Sequence, residues 1–304
     1  MNTEKFKGVF PAFYACYDDN GEISPERTRL LARHLLHKGV KGLYVGGSSG
    51  ECIYQSVADR KKTLENVMAE VKGKLTIIAH VACNNTKDSC ELAAHAEELG
   101  VDAIAAIPPI YFHLPEYAIA EYWNDISAAA PNTPFVIYNI PQLAGTTLTM
   151  PLYRKMLKNP CVLGVKNSSM ATQDIQMFKS EGGEGHIIFN GPDEQFISGR
   201  AMGADGGIGG TYAVMPELFL KMDELFKEGR MEEALKLQNT ANAIIYKMCE
   251  AHGNLYAVMK EILRMNEKVD IGGIRKPLPA LVPEDMAVVK EAAEMIRTAI
   301  AGLS

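Results

Sequence analysis

Phe135-Val136-Ile137-Tyr138, an amphipathic stretch from Met150 to Leu157, and Val162-Leu163-Gly164-Val165 follow one another in the middle of the chain. The two flanking runs are apolar at consecutive positions rather than at every second one. That pattern belongs to strands covered on both faces, and the segment between them is long enough for a helical crossover. The same unit recurs outward in both directions. On the N-terminal side lie Gly8–Phe13, Gly42–Val45, Leu75–Val81 and Asp102–Ile107, and on the C-terminal side His186–Phe189 and the weaker Asp205–Ile208. Helical periods fall between them at Pro25–His37, Thr86–Leu99, Glu116–Ala130 and Asp193–Met202. Leu92, Ala93, Ala96 and Leu99 form one stripe, and Gly100 follows as a stop. Strands alternating with helices predict an α/β fold, a (β/α)8 TIM barrel, with an open doubly wound sheet as the rival.

From about Pro216 the strand signals cease. Glu217–Gly229, Met231–Ala251, Leu255–Met265 and Pro283–Ala301 read as helices. The expected organisation is therefore a catalytic barrel over 1–228 and a C-terminal helical annex over 229–304.

The chain has 304 residues, 31 Lys+Arg against 37 Asp+Glu, and a formal charge of −6. Mild acidity argues against a nucleic-acid binder, which needs a basic face. No apolar run reaches the length of a membrane span. The charged start, Met1 to Lys7, does not read as a signal peptide, and the six cysteines are scattered without a CxxC pair. A cytoplasmic protein with reduced thiols is expected.

Chemistry-bearing residues cluster at the ends of the strand runs. Gly46-Gly47-Ser48-Ser49-Gly50-Glu51 offers backbone N–H groups that could cradle a carboxylate or phosphate. It also matches the G-x-S-x-G elbow of serine hydrolases, with Ser48 as nucleophile, or it is a plain tight turn. Tyr138 ends the fifth run and is either a core tyrosine or a hydroxyl aimed at a substrate. Lys166 ends the sixth. Facing inward it would be desolvated and nucleophilic; facing outward it would be an ordinary solvated lysine. Asp193 could cap a helix or bind a polyhydroxylated ligand, and Gly206-Gly207-Ile208-Gly209-Gly210 brings backbone close to something bound. The seven histidines form no metal-binding set, so no metal is expected.

In combination, Gly47-Ser48-Ser49-Gly50-Glu51, Tyr138-Asn139-Ile140-Pro141, Gly164-Val165-Lys166 and Gly206-Gly207-Ile208-Gly209 resemble the dihydrodipicolinate synthase/N-acetylneuraminate lyase family, from about Lys7 to Pro279. The resemblance implies a pyruvate-dependent class I aldolase that needs no cofactor beyond its own lysine. Lys166 would form an imine with a 2-keto acid, Tyr138 would move the proton, and Ser48 would hydrogen-bond Tyr138. The N–H groups of Ser48 and Ser49 would hold the carboxylate. Tyr111 resembles the tyrosine that reaches into a neighbouring subunit's site, which implies a homotetramer built as a dimer of dimers.

Leu143 stands where lysine-pathway synthases carry an arginine, and it cannot offer a bidentate pair to a carboxylate. Gly191-Pro192-Asp193-Glu194 resembles the segment whose acids bind a sugar's hydroxyl tail, and Ser168 resembles a hydroxyl placed near the substrate. Sialic acid cleavage to pyruvate and N-acetylmannosamine is thus the expected activity. A lyase or dehydratase for another 2-keto-3-deoxy sugar acid and a dihydrodipicolinate synthase are the alternatives, and a non-catalytic binding barrel is a third. Departures from the resemblance are Gly210, where those lyases usually carry serine, and Tyr14 and Cys16 on the first strand, which are expected to reshape the pocket floor.

Overall fold

The computed structural model describes residues 3–303. Eight parallel strands form one sheet: β1 (Gly8–Pro11), β2 (Gly42–Val45), β3 (Thr76–His80), β4 (Ala103–Ala106), β5 (Phe135–Asn139), β6 (Val162–Asn167), β7 (Ile187–Asn190) and β8 (Gly206–Gly209). Their order is sequential from β2 to β8, and β8 pairs with β1. A parallel bridge between Ala12 and Tyr44, with Phe13 N donating to Tyr44 O at 2.9 Å, joins β1 to β2 and closes the barrel.

Alternation along each strand sorts the side chains into two cores. Phe6, Phe10, Tyr44, Ile78, Val136, Tyr138, Leu163, Phe189 and Ile208 fill the barrel interior. The residues between them face outward and pack against the helices, in a larger cluster that includes Leu43, Ile77, Ile104, Ile137, Val165 and Ile188. Both faces are therefore dry, which explains the unbroken apolar runs.

The outer ring begins with α1 (Pro25–His37), α2 (Val57–Val71), α3 (Thr86–Leu99) and α4 (Glu116–Ala128). After β5 a single four-residue turn, α5 (Pro141–Ala144), lies at the mouth, and the ring continues with α6 (Met150–Met156), α7 (Gln173–Gly182), α8 (Phe196–Ala201) and α9 (Pro216–Lys227). Two of these, α2 and α7, are not among the helices expected from the sequence. Arg60, Thr63 and Asn66 lie buried on the inner face of α2, so it has no clean apolar stripe, and its start is set by a Ser56–Asp59 capping box. The expected helix Asp193–Met202 is a 3-10 turn, Asp193–Gln195, followed by α8.

α9 packs against β1 and completes the ring. Beyond it come α10 (Met231–Met248), α11 (Leu255–Glu267) and α12 (Asp285–Ala301), with α10 against α8, α9 and α12, and α11 against α12. The segment containing α11 returns to the C-terminal mouth of the barrel, where the functional residues lie.

Candidate active site

Lys166 sits within β6 rather than after it, in register with Tyr138 on β5 and Phe189 on β7. Register-matched residues on neighbouring parallel strands share a face, so the amine points into the barrel. Its residue is 4% exposed, which rules out the solvated alternative. Burial removes the water that would stabilise an ammonium and brings the pKa of Lys166 down to about 7, against an opposing pull from Asp193. Nζ lies 3.9 Å from the centroid of the Tyr138 ring and 4.3 Å from that of Tyr44.

Tyr138 is 3% exposed, and desolvation pushes its phenol up to about 12 despite hydrogen bonds with Ser168 and Ser48. Those two hydroxyls arrive from different strand ends. Ser48 and Ser49 start a short 3-10 turn after β2, entered through Gly46 at φ +77°. Ser168 follows β6, and its hydroxyl fills the space that a side chain at position 191 would need: a Cβ on Gly191 would lie 1.9 Å from Ser168 Oγ.

Asp193 does not cap a helix. Its Oδ2 accepts hydrogen bonds from the backbone N–H and the hydroxyl of Thr211, both at 2.6 Å, across the mouth from β7 to β8. Burial raises its carboxyl to about 6, partly offset by Thr211 and Lys166. Gly209 does not line the cavity. It makes room for Asp193 and Tyr212, both 2.2 Å from where its Cβ would stand. Gly210 does line it, and its carbonyl accepts from the Tyr14 hydroxyl at 2.6 Å. Tyr14 therefore acts from beneath the wall, whereas Cys16 is buried beside the Tyr14 carbonyl and away from the cavity.

These groups surround a cavity of about 370 Å³, with Gly191, Asp193, Glu194 and Thr211 on one side and Ser48, Ser49, Tyr138 and Lys166 on another. Leu143, 65% exposed, lies on its rim. Tyr111 is elsewhere: it is on the loop after β4, 87% exposed at φ +83°, with its ring edge-on to Phe112. No histidine lies among the lining residues, so Ser48 has no base of the hydrolase kind there. Among the described residues no group of three or more His, Cys, Asp or Glu could hold a metal ion.

Several participants are not readable from the sequence. Tyr44 comes from mid-strand β2, and Tyr256, Met259 and Leu255 come from α11. The Tyr256 phenol is raised by burial and hydrogen-bonded with Ser49. Glu51, in a left-handed conformation at φ +55°, is anchored by the annex. Its Oε1 accepts from Lys260 Nζ at 2.7 Å, and its Oε2 from the Arg275 backbone N at 2.8 Å and the Tyr17 hydroxyl at 3.1 Å. Only the tertiary fold brings α11 to the second strand's loop, so local pattern offers no signal for this anchor.

A dry amine beside a phenol at the C-terminal mouth of a parallel barrel defines the class I, lysine-imine type of carbon–carbon lyase. The chain belongs to the dihydrodipicolinate synthetase family, whose model matches residues 5–296. It is 70% identical to an N-acetylneuraminate lyase of Mediterraneibacter gnavus over 295 residues, covering 97% of this chain and 94% of that protein. A solved Ruminococcus gnavus sialic acid aldolase, a catalytic lysine mutant, superposes with a TM-score of 0.99 at 68% identity, covering 100% of this chain and 99% of that one. The N-acetylneuraminate lyase of Fusobacterium nucleatum complexed with pyruvate gives 0.90 at 30% identity, covering 96% and 98%.

Proposed function

We propose that this enzyme cleaves sialic acid reversibly to pyruvate and N-acetylmannosamine through an imine on Lys166. The observation that carries the reading is the desolvated Lys166 amine 3.9 Å from the Tyr138 ring, both buried. With its pKa near 7, a large fraction of the amine is unprotonated at neutral pH and able to attack the keto carbon. Loss of water leaves a protonated imine, an electron sink that accepts the pair released when the C3–C4 bond breaks. Tyr138 then takes the proton of the C4 hydroxyl in cleavage and returns it in condensation, with Ser48 and Ser168 holding the phenolic oxygen.

The N–H groups of Ser48 and Ser49 hold the substrate carboxylate. Asp193, Glu194, Gly191 and Gly210 face its hydroxylated tail, while Gly209 serves by keeping Asp193 in place. Leu143 at the rim disfavours an aldehyde that carries its own carboxylate. Gly210 supports a second reading inside the same chemistry: without a side-chain hydroxyl there, the cavity suits a different hydroxylated 2-keto acid.

We further infer a cytoplasmic homotetramer, a dimer of dimers in which Tyr111 and Phe112 pack on a second subunit and Tyr111 completes its site. The exposure of this aromatic pair supports that arrangement.

Incubation with pyruvate and borohydride should add a reduced pyruvyl group to Lys166, located by peptide mass spectrometry. Pyruvate release from sialic acid should exceed condensation of pyruvate with aspartate semialdehyde. An unmodified Lys166 overturns the imine; a modified Lys166 with no sialic acid cleavage transfers the assignment to another 2-keto-3-deoxy sugar acid.

A further inference from the structure

Tyr44 enters none of the roles above, yet its ring is the surface on which the reacting groups meet. It lies in the barrel interior on β2, fully buried. Lys166 Nζ stands over its face at 4.3 Å from the centroid, and the Tyr138 ring meets it edge-on at 5.8 Å and 82°. The imidazole of His80 closes the group, 6.1 Å from Tyr44 and 6.0 Å from Tyr138, and burial with Arg60 alongside keeps it neutral. The carboxylate-holding loop rests on the same ring, since a Cβ at Gly47 would come within 2.6 Å of Tyr44 Cε1.

The Tyr44 hydroxyl, by contrast, is buried without a hydrogen-bond partner among the described residues. Whatever this side chain contributes comes from its π face and not from its oxygen.

We propose that Tyr44 is a catalytic residue whose ring stabilises the protonated imine at Lys166 Nζ. The proposal rests on the imine reading and deepens it. When the amine attacks the keto carbon, the C–O bond breaks, oxygen leaves as water, and one proton is taken up. The nitrogen is then held as a cation. A neutral amine gains little from an aromatic face, but a fixed cation gains substantially in a water-free site. The two rings therefore favour the adduct over the free enzyme, which is the differential binding that catalysis requires. Asp193, whose carboxylate also pulls on this amine, is hydrogen-bonded to Thr211, and the two rings lie directly beside the nitrogen at 3.9 and 4.3 Å.

The test measures the pyruvate concentration that gives half-maximal borohydride trapping, by intact-protein mass spectrometry. Tyr44→Phe, which keeps the face, should trap within about twofold of the unaltered enzyme, and Tyr44→Leu should need about tenfold more pyruvate. To make the test independent of the folding of Tyr44→Leu, phenylalanines with one, two and three ring fluorines at position 44 provide the same comparison at constant shape. Trapping should weaken with each fluorine. Equal trapping across the fluorinated series, or by a folded Tyr44→Leu, overturns the proposal. If the unaltered enzyme fails to trap pyruvate at all, the imine reading falls and Tyr44's role falls with it.

Discussion

Lys166→Met should yield an inactive protein that is more stable than the active one. The amine ionises near pH 7 in the folded chain against 10.5 in water, chiefly through desolvation. Each unit is worth about 1.4 kcal/mol, so burial of this amine costs about 4 kcal/mol at pH 7. The contacts with the Tyr44 and Tyr138 rings return about 1 kcal/mol of that. Methionine fills nearly the same volume without the penalty, leaving a gain of about 3 kcal/mol.

The unfolding entropy of globular proteins, about 2 cal/mol/K per residue, makes this a rise of about 5 °C for 304 residues. The sign of the pH dependence follows from the depressed pKa. Between pH 7 and 10.5 the unfolded chain holds a proton that the folded chain lacks, so the active enzyme gains stability as pH rises. Below 7 the full cost is present and constant. The difference between the two proteins should therefore be largest at and below pH 7 and shrink steadily toward pH 9.5. Thermal melts followed by circular dichroism and Trp123 fluorescence, at matched protein concentration, measure it. A Lys166→Met protein that melts no higher at pH 7, or whose advantage is flat with pH, refutes the desolvated amine.

Other expectations concern the neighbours of that amine. The rate of imine trapping at saturating borohydride should rise through pH 7 and level above 8, following the unprotonated fraction of Lys166, as stopped-time mass spectrometry would show. Lys260→Met strands the buried Glu51 carboxylate and should cost about 3–5 kcal/mol, whereas the pair Glu51→Gln/Lys260→Met should recover a measurable part of it in urea unfolding. Gly209→Ala would drive a methyl into Asp193 and Tyr212 and should abolish turnover and lower the melting temperature. Gly210→Ala meets Ser49 Oγ at 3.3 Å and Asp193 Oδ2 at 4.0 Å and should fold normally, with its effect confined to KM for the sugar acid.

The barrel was legible because its strands are dry on both sides: runs such as Phe135–Tyr138 leave no polar face to disguise their period. α2 was not, since its inner face carries polar residues satisfied by distant partners; Arg29 Nε, for example, donates to Asn66 Oδ1 at 2.9 Å. α7 buries only Ile175 and Phe178, too short an apolar stripe to stand out. At the site, motif residues bunched at strand ends located Ser48, Tyr138, Lys166 and Asp193. Periodicity could not decide which way Lys166 faces, because a lysine at a strand terminus fits both orientations. The register with Tyr138 decides it. Tyr44 was hidden as one aromatic residue in an apolar strand, and Tyr256 lies some two hundred residues from Ser49, with which it is hydrogen-bonded. Local sequence left Asp193 open between a helix cap and a ligand contact because its hydrogen-bond partner, Thr211, is on the next strand's loop.

The Glu51–Lys260 contact spans 209 residues of sequence. Until α11 is in place, the Glu51 carboxylate in the loop after the second strand has no lysine beside it. That loop at the barrel mouth is therefore completed by the last part of the chain, and truncation before Lys260 would leave its carboxylate uncompensated.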